Sequence, residues 1–228
     1  VGEQPDRACG EEDRRAVFED LNGERRRTRI FFNLVAPAFR VIDRRLLPEY
    51  RRALAVLGLD PSAAVLDLGT GTGTLARAFV ERGHPVTGVD SAERLLRRAA
   101  RRVPAARLES MDLVDLPSLD DRAFHIVAMG YLLHGLAPVM RRFVLCEAAR
   151  IAATHVVVFD YARPGPLVVR LVEWVEGPHY SSFLNRPFAE HAREAGLHTV
   201  RSGPTSDVGG WWLCAPPPGA PSTRHGGG

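Results

Sequence analysis

Lysine is absent from this chain: all 30 of its basic residues are arginine. That excludes every chemistry that runs through a lysine Schiff base. With 27 acidic residues set against them the formal net charge is only +3. The basic clusters Arg25–Arg27, Arg97–Arg98 and Arg101–Arg102 therefore read first as solvated helix faces and only weakly as a nucleic-acid surface. Cysteine is scarce. Cys9, Cys146 and Cys214 are odd in number and without paired spacing, which excludes a disulfide framework and a metal cluster and fits a reducing cytoplasm. No metal is expected. No apolar run approaches the roughly 18 residues of a membrane span, no leader segment is visible, and no internal repeat recurs. Aromatics make up only 7% of the chain, so their gathering in two short segments stands out.

What is present is ordinary soluble composition, 45% hydrophobic over 228 residues, enough for one domain with an ample core. The chain is organised around Val65 to Gly73, VLDLGTGTG. Val65, Leu66 and Leu68 read as a short buried strand. Gly69, Gly71 and Gly73 let the backbone turn and approach a ligand closely, and Thr74 to Val80 reads as the helix that follows. Strand, glycine loop and helix start together make a site for a nucleotide-like ligand. The loop is G-x-G-x-G, with Thr74 where the dinucleotide fingerprint takes Gly or Ala and with Asp67 two residues ahead. Thr74 here, and Asp112 further on, oppose an NAD-linked oxidoreductase.

Two further acids follow at strand ends. Asp90 closes the strand in HPVTGVD (84–90). A carboxylate there can accept both hydrogens of a ribose diol, and Asp90 or Ser91 can equally cap the helix from Ala92 to Arg102. Asp112 follows the third strand in ARLESMDLVDLP (106–117). Asp115 is the alternative, in an Asp-Leu-Pro context that marks a turn.

Asp67 with its alternate glycines, then Asp90 and Asp112, closely resembles motif I and the succeeding strand ends of the class I S-adenosylmethionine (SAM) methyltransferases. FFNLVAPAF (31–39) is similar to the segment ahead of motif I in the ubiquinone/menaquinone-biosynthesis methyltransferases. Phe32, Val35, Ala36 and Pro37 match; Phe39 replaces a Tyr and Arg40 an Asp. FDYARPG (159–165) resembles the end of their fifth strand. The Arg-Asn pair they carry after strand four is replaced near Leu133-His134, their usual Asp in strand four is His125, and their Pro-Gly-Gly turn is Ala152-Ala153.

The resemblance implies an α/β fold: a Rossmann-like, three-layer αβα sandwich with a seven-stranded, mostly parallel sheet, an antiparallel last strand and an N-terminal helical cap. The expected organisation is a cap over 1–58 with a disordered start, a SAM-binding core over 59–215 with a lid insertion at 163–186, and a flexible tail over 216–228. The cofactor is SAM and the product S-adenosylhomocysteine (SAH). Asp67, Gly69, Thr70, Gly71, Gly73, Asp90, Ser91, Asp112, Leu113 and Gly130 are expected at the cofactor. In the family the position of Asp112 sits beside adenine, where its side chain can accept from the exocyclic amine and the Leu113 amide can donate to a ring nitrogen.

The remaining elements are read from pattern. Arg29 to Leu59 holds apolar residues at helical intervals broken at Pro37 and Pro48, giving two or three helices. Phe124 to Met129 is a strand, Met140 to Ile151 a helix and His155 to Phe159 the fifth strand. Pro166 to Glu176 is a helix, 177–185 a polar and aromatic loop, and Pro187 to Ala195 a helix. His198 to Ser202 and Gly210 to Cys214 form the closing hairpin.

Transfer of a methyl group needs alignment above all, and a phenol or acidic carbon also needs a base. His134 and His179 are candidates by type, with Tyr180 beside them as a catalytic or positioning group. Phe32, Phe39, Tyr131, Trp174, Tyr180 and Phe183 are expected to wall the acceptor. An Asn/Asp-Pro-Pro-Tyr run, paired glutamates after strand four and a strand-four Asp are all absent. These absences disfavour amino-methylating nucleic-acid enzymes, protein arginine methyltransferases and metal-dependent catechol-type enzymes. The expected acceptor is a small apolar or aromatic molecule, methylated on oxygen or carbon by a cytoplasmic monomer or homodimer. An RNA- or protein-directed methyltransferase and a non-catalytic SAM-binding protein are the alternatives.

Overall fold

The computed structural model describes residues 39–165 and 179–218. In chain order these form α1 (Phe39–Leu57), β1 (Val65–Leu68), α2 (Thr74–Val80), β2 (Val86–Asp90), α3 (Glu93–Arg102) and β3 (Arg107–Ser110). After a 3₁₀ turn at Leu113–Ser118 come β4 (Phe124–Gly130), a second 3₁₀ turn at Leu133–Gly135, α4 (Pro138–Ile151) and β5 (Ala152–Tyr161). The chain then adds α5 (His179–Leu184), α6 (Phe188–Glu194), β6 (His198–Pro204) and β7 (Gly209–Ala215).

The strands make one seven-stranded sheet in the order β3-β2-β1-β4-β5-β7-β6. Pairings from β3 through β5 are parallel, while β7 runs antiparallel to both β5 and β6. All four residues of β1 are buried, as a central strand covered on both faces requires. One apolar layer joins Leu66, Leu68, Met129 and Val158 to Phe143, Val144 and Phe183. The other joins Val65, Ile126, Val157 and Phe159 to Leu54, Leu57, Leu75 and Phe79. The sheet is thus the middle layer of three, as the resemblance implies. The order of strands reverses between β1 and β4, and ligands of open α/β sheets bind at such a switch point, beyond the strands' carboxyl ends.

Two elements differ from expectation. Pro48 does not break a helix: α1 runs through it from Phe39 to Leu57. A proline inside a helix costs about 3 kcal/mol. Tyr50, Ala53, Leu54 and Leu57, at helical spacing, are all nearly inaccessible, and each large apolar side chain so buried returns roughly 1.5–3 kcal/mol. Burial outweighs that cost. Residues 177–185, expected as loop, include the helix α5. Tyr180 and Phe183, three apart, are buried on one face, and Ser182 Oγ donates back to the His179 carbonyl at 2.7 Å. The expected helix at 166–176, the cap before residue 39 and most of the tail lie outside the described residues.

Candidate functional site

The glycine loop is held by its own neighbours. Gly69, Gly71 and Gly73 have φ of 65°, 54° and 78°, a region that residues with a Cβ rarely enter. A Cβ on Gly73 would stand 3.0 Å from that of Ala99 in α3, so loop and helix are in close contact. Among the described residues a Cβ on Gly71 would meet nothing nearer than 3.8 Å, so they leave room for a ligand to reach the backbone there.

The threonines between the glycines are tied down. Thr70 Oγ1 donates to Asp67 Oδ2 at 2.6 Å, while Thr72 Oγ1 and Thr74 Oγ1 both donate to Asp43 Oδ1 at 2.6 Å. Asp67 is 1% exposed. Burial pushes its pKa up to about 7 against the hydrogen bonds from Thr70 and the Ala76 amide, with nearby Asp90 adding to the rise. Asp90 sits at the end of β2. Its Oδ2 accepts from Gly71 N at 2.8 Å and its Oδ1 from Ala92 N at 2.7 Å. It therefore braces the loop and the start of α3 at once, and each oxygen keeps lone-pair capacity for a further donor. Ser91 is exposed. Asp112 caps the turn after β3, accepting from Val114 N at 3.3 Å, with Leu113 next to it opening that turn. Asp115 lies inside the same turn.

The second half of the site is built on β4 and β5. Gly130, the last residue of β4, gives room to a neighbour: a Cβ there would lie 2.6 Å from the Tyr50 hydroxyl. Tyr131 follows with φ 51°, a conformation that costs a non-glycine residue roughly 1–2 kcal/mol, and its N–H donates to Phe159 O at 2.7 Å. The chain then reaches Leu132, which abuts the glycine loop: a Cβ on Gly69 would meet Leu132 Cδ1 at 2.9 Å.

His134, 6% exposed, lies 2.7 Å through Nδ1 from Asp160 Oδ1 on β5. A carboxylate only accepts, so Nδ1 carries the hydrogen, and in the neutral ring the lone pair is on Nε2. Asp160 is fully buried. It also accepts from Leu133 N at 2.9 Å, His134 N at 3.2 Å and Tyr161 N at 2.8 Å. The rings of Tyr161, Tyr180 and Tyr131 stand edge-on to His134, with centroids 4.9, 6.2 and 6.3 Å away.

Arg141 of α4, 2% exposed, holds this loop from beneath. It donates to Leu133 O and Leu136 O at 3.0 Å, reaches His179 O at 3.3 Å, and lies over the Phe183 ring. Burial lowers its pKa to about 10 against the attraction of Asp160. On the far side of Tyr161 is an open cavity of about 280 Å³ lined by Phe183, Asn185, Arg186, Phe188 and Trp212. Towards α1, the side chain of Thr205 meets both Glu49 and the Tyr131 hydroxyl, and burial holds the Glu49 carboxyl above its ordinary pKa; this is a polar corner beside the tyrosines.

The sequence-predicted residues divide accordingly. Asp67, Gly69, Thr70, Gly71, Gly73 and Asp90 come together at the loop, and Tyr131, His134 and Tyr180 come together at the β4–β5 edge. Tyr180 uses its hydroxyl to accept from Gly165 N at 2.8 Å. His179 opens α5, with its carbonyl taken by Arg141 and Ser182. Phe183 lines the cavity. Phe32 and Trp174 lie outside the described residues, and so does the Phe39 side chain. Asp43, Arg141 and Asp160 were not anticipated. Among the described residues no group of His, Cys, Asp or Glu is arranged to hold a metal, and no helix is long and apolar enough to cross a membrane.

Residues 65–155 match the methyltransferase domain family. The chain is 32% identical over 148 residues to the demethylmenaquinone methyltransferase of Tropheryma whipplei, an alignment covering 60% of this chain and 59% of that protein. It thus spans under two thirds of that relative's length. Among solved structures it is similar to the complex of the Haloferax volcanii Trm112 methyltransferase activator with a protein described there as a methyltransferase. That match has a TM-score of 0.66 and 18% identity, covering 85% of this chain and 99% of that one. It is also similar to the SAH-bound magnesium protoporphyrin IX methyltransferase of Synechocystis, with a TM-score of 0.57 and 15% identity, covering 76% of this chain and 84% of that one.

Proposed function

We propose that this chain, whose sheet has the Rossmann-like methyltransferase order and whose residues 65–155 match the methyltransferase domain family, transfers a methyl group from SAM to an oxygen or carbon of a small, largely apolar or aromatic acceptor. The observation that carries this reading is the His134–Asp160 pair. It stands at the carboxyl ends of β4 and β5, on a loop that touches the glycine loop and is ringed by three tyrosines.

The residues present fit the cofactor. Gly71 leaves backbone open to a ligand, and Asp90 retains acceptor capacity on both oxygens for a ribose diol. Asp112 and the Leu113 backbone are assigned to the adenine. Bound there, SAM supplies a methyl group already activated by its sulfonium. The protein's part is alignment, which can supply roughly 7–11 kcal/mol of a barrier, and removal of a proton from the acceptor. His134 takes that proton on Nε2, because Asp160 holds the Nδ1 hydrogen and stabilises the imidazolium that forms. The tyrosine rings give a flat acceptor edge and face contacts, and Glu49 with Thr205 offers hydrogen bonds to a polar substituent.

The arginines of α3 do not favour a nucleic-acid acceptor: Arg97 pairs with Glu93 and Arg102 with Asp43. The test is a screen of purified protein and SAM against quinols, phenols and small organic acids, following SAH and methylated product. Intact SAH binding with no turnover of any acceptor class would make the chain a non-catalytic SAM-binding protein instead.

A further inference from the structure

We propose that Asp43, on the N-terminal helix and outside the matched domain, is a positioning residue of the cofactor site. It fixes the glycine loop from below through the hydroxyls of Thr72 and Thr74. The proposal rests on the reading of that loop as the SAM site.

The loop's sequence is an alternation, Gly69-Thr70-Gly71-Thr72-Gly73-Thr74. Three glycines within five residues make a backbone with many conformations to lose on ordering. A loop of that kind binds tightly only when its bound shape is set in advance. The threonines supply the restraint, and each has a carboxylate. Thr70 is held by Asp67, the acid within its own motif. Thr72 and Thr74 are held by one oxygen of Asp43, at 2.6 Å each. The other oxygen of Asp43 accepts from Arg102 Nη1, and the same nitrogen donates to the Thr72 carbonyl at 3.3 Å.

One carboxylate therefore joins α1, the glycine loop, the start of α2 and the last residue of α3. Asp43 is 6% exposed, Thr72 7% and Thr74 5%, so water does not compete for these bonds. A carboxylate so buried is tolerable only when paired, which Arg102 provides. The far side of the loop is held by Asp90 through Gly71 N. Three acids hold the loop, Asp43, Asp67 and Asp90, and of these only Asp43 lies outside the matched domain. On this account α1 is more than a cap beside the acceptor: it is part of what sets cofactor affinity.

Calorimetric titration of the full chain with SAH tests this, each variant being held well below its measured melting temperature. Asp43→Asn removes the charge and one strong acceptor; SAH Kd is expected to rise about 10- to 100-fold. Thr72→Val removes a single hydroxyl at nearly constant shape and is expected to raise Kd about 3- to 10-fold. The double variant should bind no worse than Asp43→Asn alone, because the two changes cut the same link. Lower melting temperatures with unchanged Kd in the folded variants would reduce Asp43 to a structural tie between helices and overturn the proposal. If Asp43→Asn does not fold, Thr72→Val decides alone, and an unchanged Kd in that variant overturns it. Absence of SAH binding by the unmodified chain would instead overturn the cofactor reading itself.

Discussion

The two halves of the sheet's carboxyl edge are built differently. The β1–β2–β3 half presents backbone: glycines in left-handed conformation, amides bonded to Asp90, and short hydroxyls turned down into carboxylates. The β4–β5 half presents side chains, with His134, three tyrosines and a buried arginine drawn from four separate segments. A cofactor that never varies can be met by a fixed backbone cradle. An acceptor is recognised by whatever side chains reach it. Substitutions in the first half should therefore act on cofactor affinity, and those in the second on turnover.

The largest effect is expected in the second half. His134→Gln keeps the ring site's size and an amide for Asp160 but removes the proton acceptor. Turnover of an identified acceptor should fall about 10²- to 10⁴-fold, the usual worth of a positioned general base, while SAH affinity by calorimetry stays within about twofold. A parallel loss of SAH affinity would erase the division between the halves.

Next in size is a pH effect confined to the first half. Asp67 has its pKa raised from 3.8 to about 7 in the fold. Between those values the unfolded chain has released a proton that the folded chain still holds, so stability falls as pH rises through this window. The fall is on the order of 4 kcal/mol for this group. Glu81, lowered to about 2 by Arg51 and Arg77, acts in the opposite sense and mostly at lower pH, losing its contribution as pH drops from 4.5 towards 2. Urea unfolding at pH 5 and pH 8 should show the loss in the unmodified chain and a flatter profile in Asp67→Asn. Identical slopes in the two would mean that Asp67 is ionised throughout.

Asp90→Ala sharpens the comparison further. SAM affinity should weaken by about 1.5–3 kcal/mol, as for loss of charged hydrogen bonds, with kcat at saturating SAM little changed. If only melting temperature falls, Asp90 serves solely as the brace between Gly71 and Ala92.

The same contrast explains what could be read before the structure. β1, the glycine loop and α2 are contiguous, and their signals are local: an apolar strand, glycines at alternate positions, a helical stretch. The mostly parallel seven-stranded sheet and the three acids at strand ends followed from that run and its resemblance, whereas the order of the strands did not. Asp43 stands 29 residues before Thr72 and Asp160 stands 26 after His134, and no local pattern announces such pairs. Asp43 lies inside the stretch Arg29 to Leu59, which reads only as helix from its apolar spacing, and Asp160 in FDYARPG, which reads only as a strand end. Pro48 misled for a related reason: propensity is local, whereas the apolar stripe that overrides it packs against α2 and the sheet. Residues 177–185 misled because their two buried aromatics are too few to show a helical period.

The smallest effect separates two readings of one tyrosine. Tyr180 has its ring edge-on to His134 and to Tyr161, 5.0 Å away, and its hydroxyl accepts from Gly165 N at 2.8 Å. Tyr180→Phe keeps the ring and removes only that acceptor, leaving one backbone N–H unpaired. If the hydroxyl anchors the chain leaving β5, stability should drop by about 1 kcal/mol, measured by urea unfolding. Turnover should change less than about fivefold, through looser placement of the aromatic wall. If the hydroxyl instead contacts the reacting group, kcat should fall by tenfold or more with stability nearly unchanged. The bond to Gly165 favours the first outcome. The ring then matters more than its oxygen, and Tyr180→Leu should lower turnover further than Tyr180→Phe.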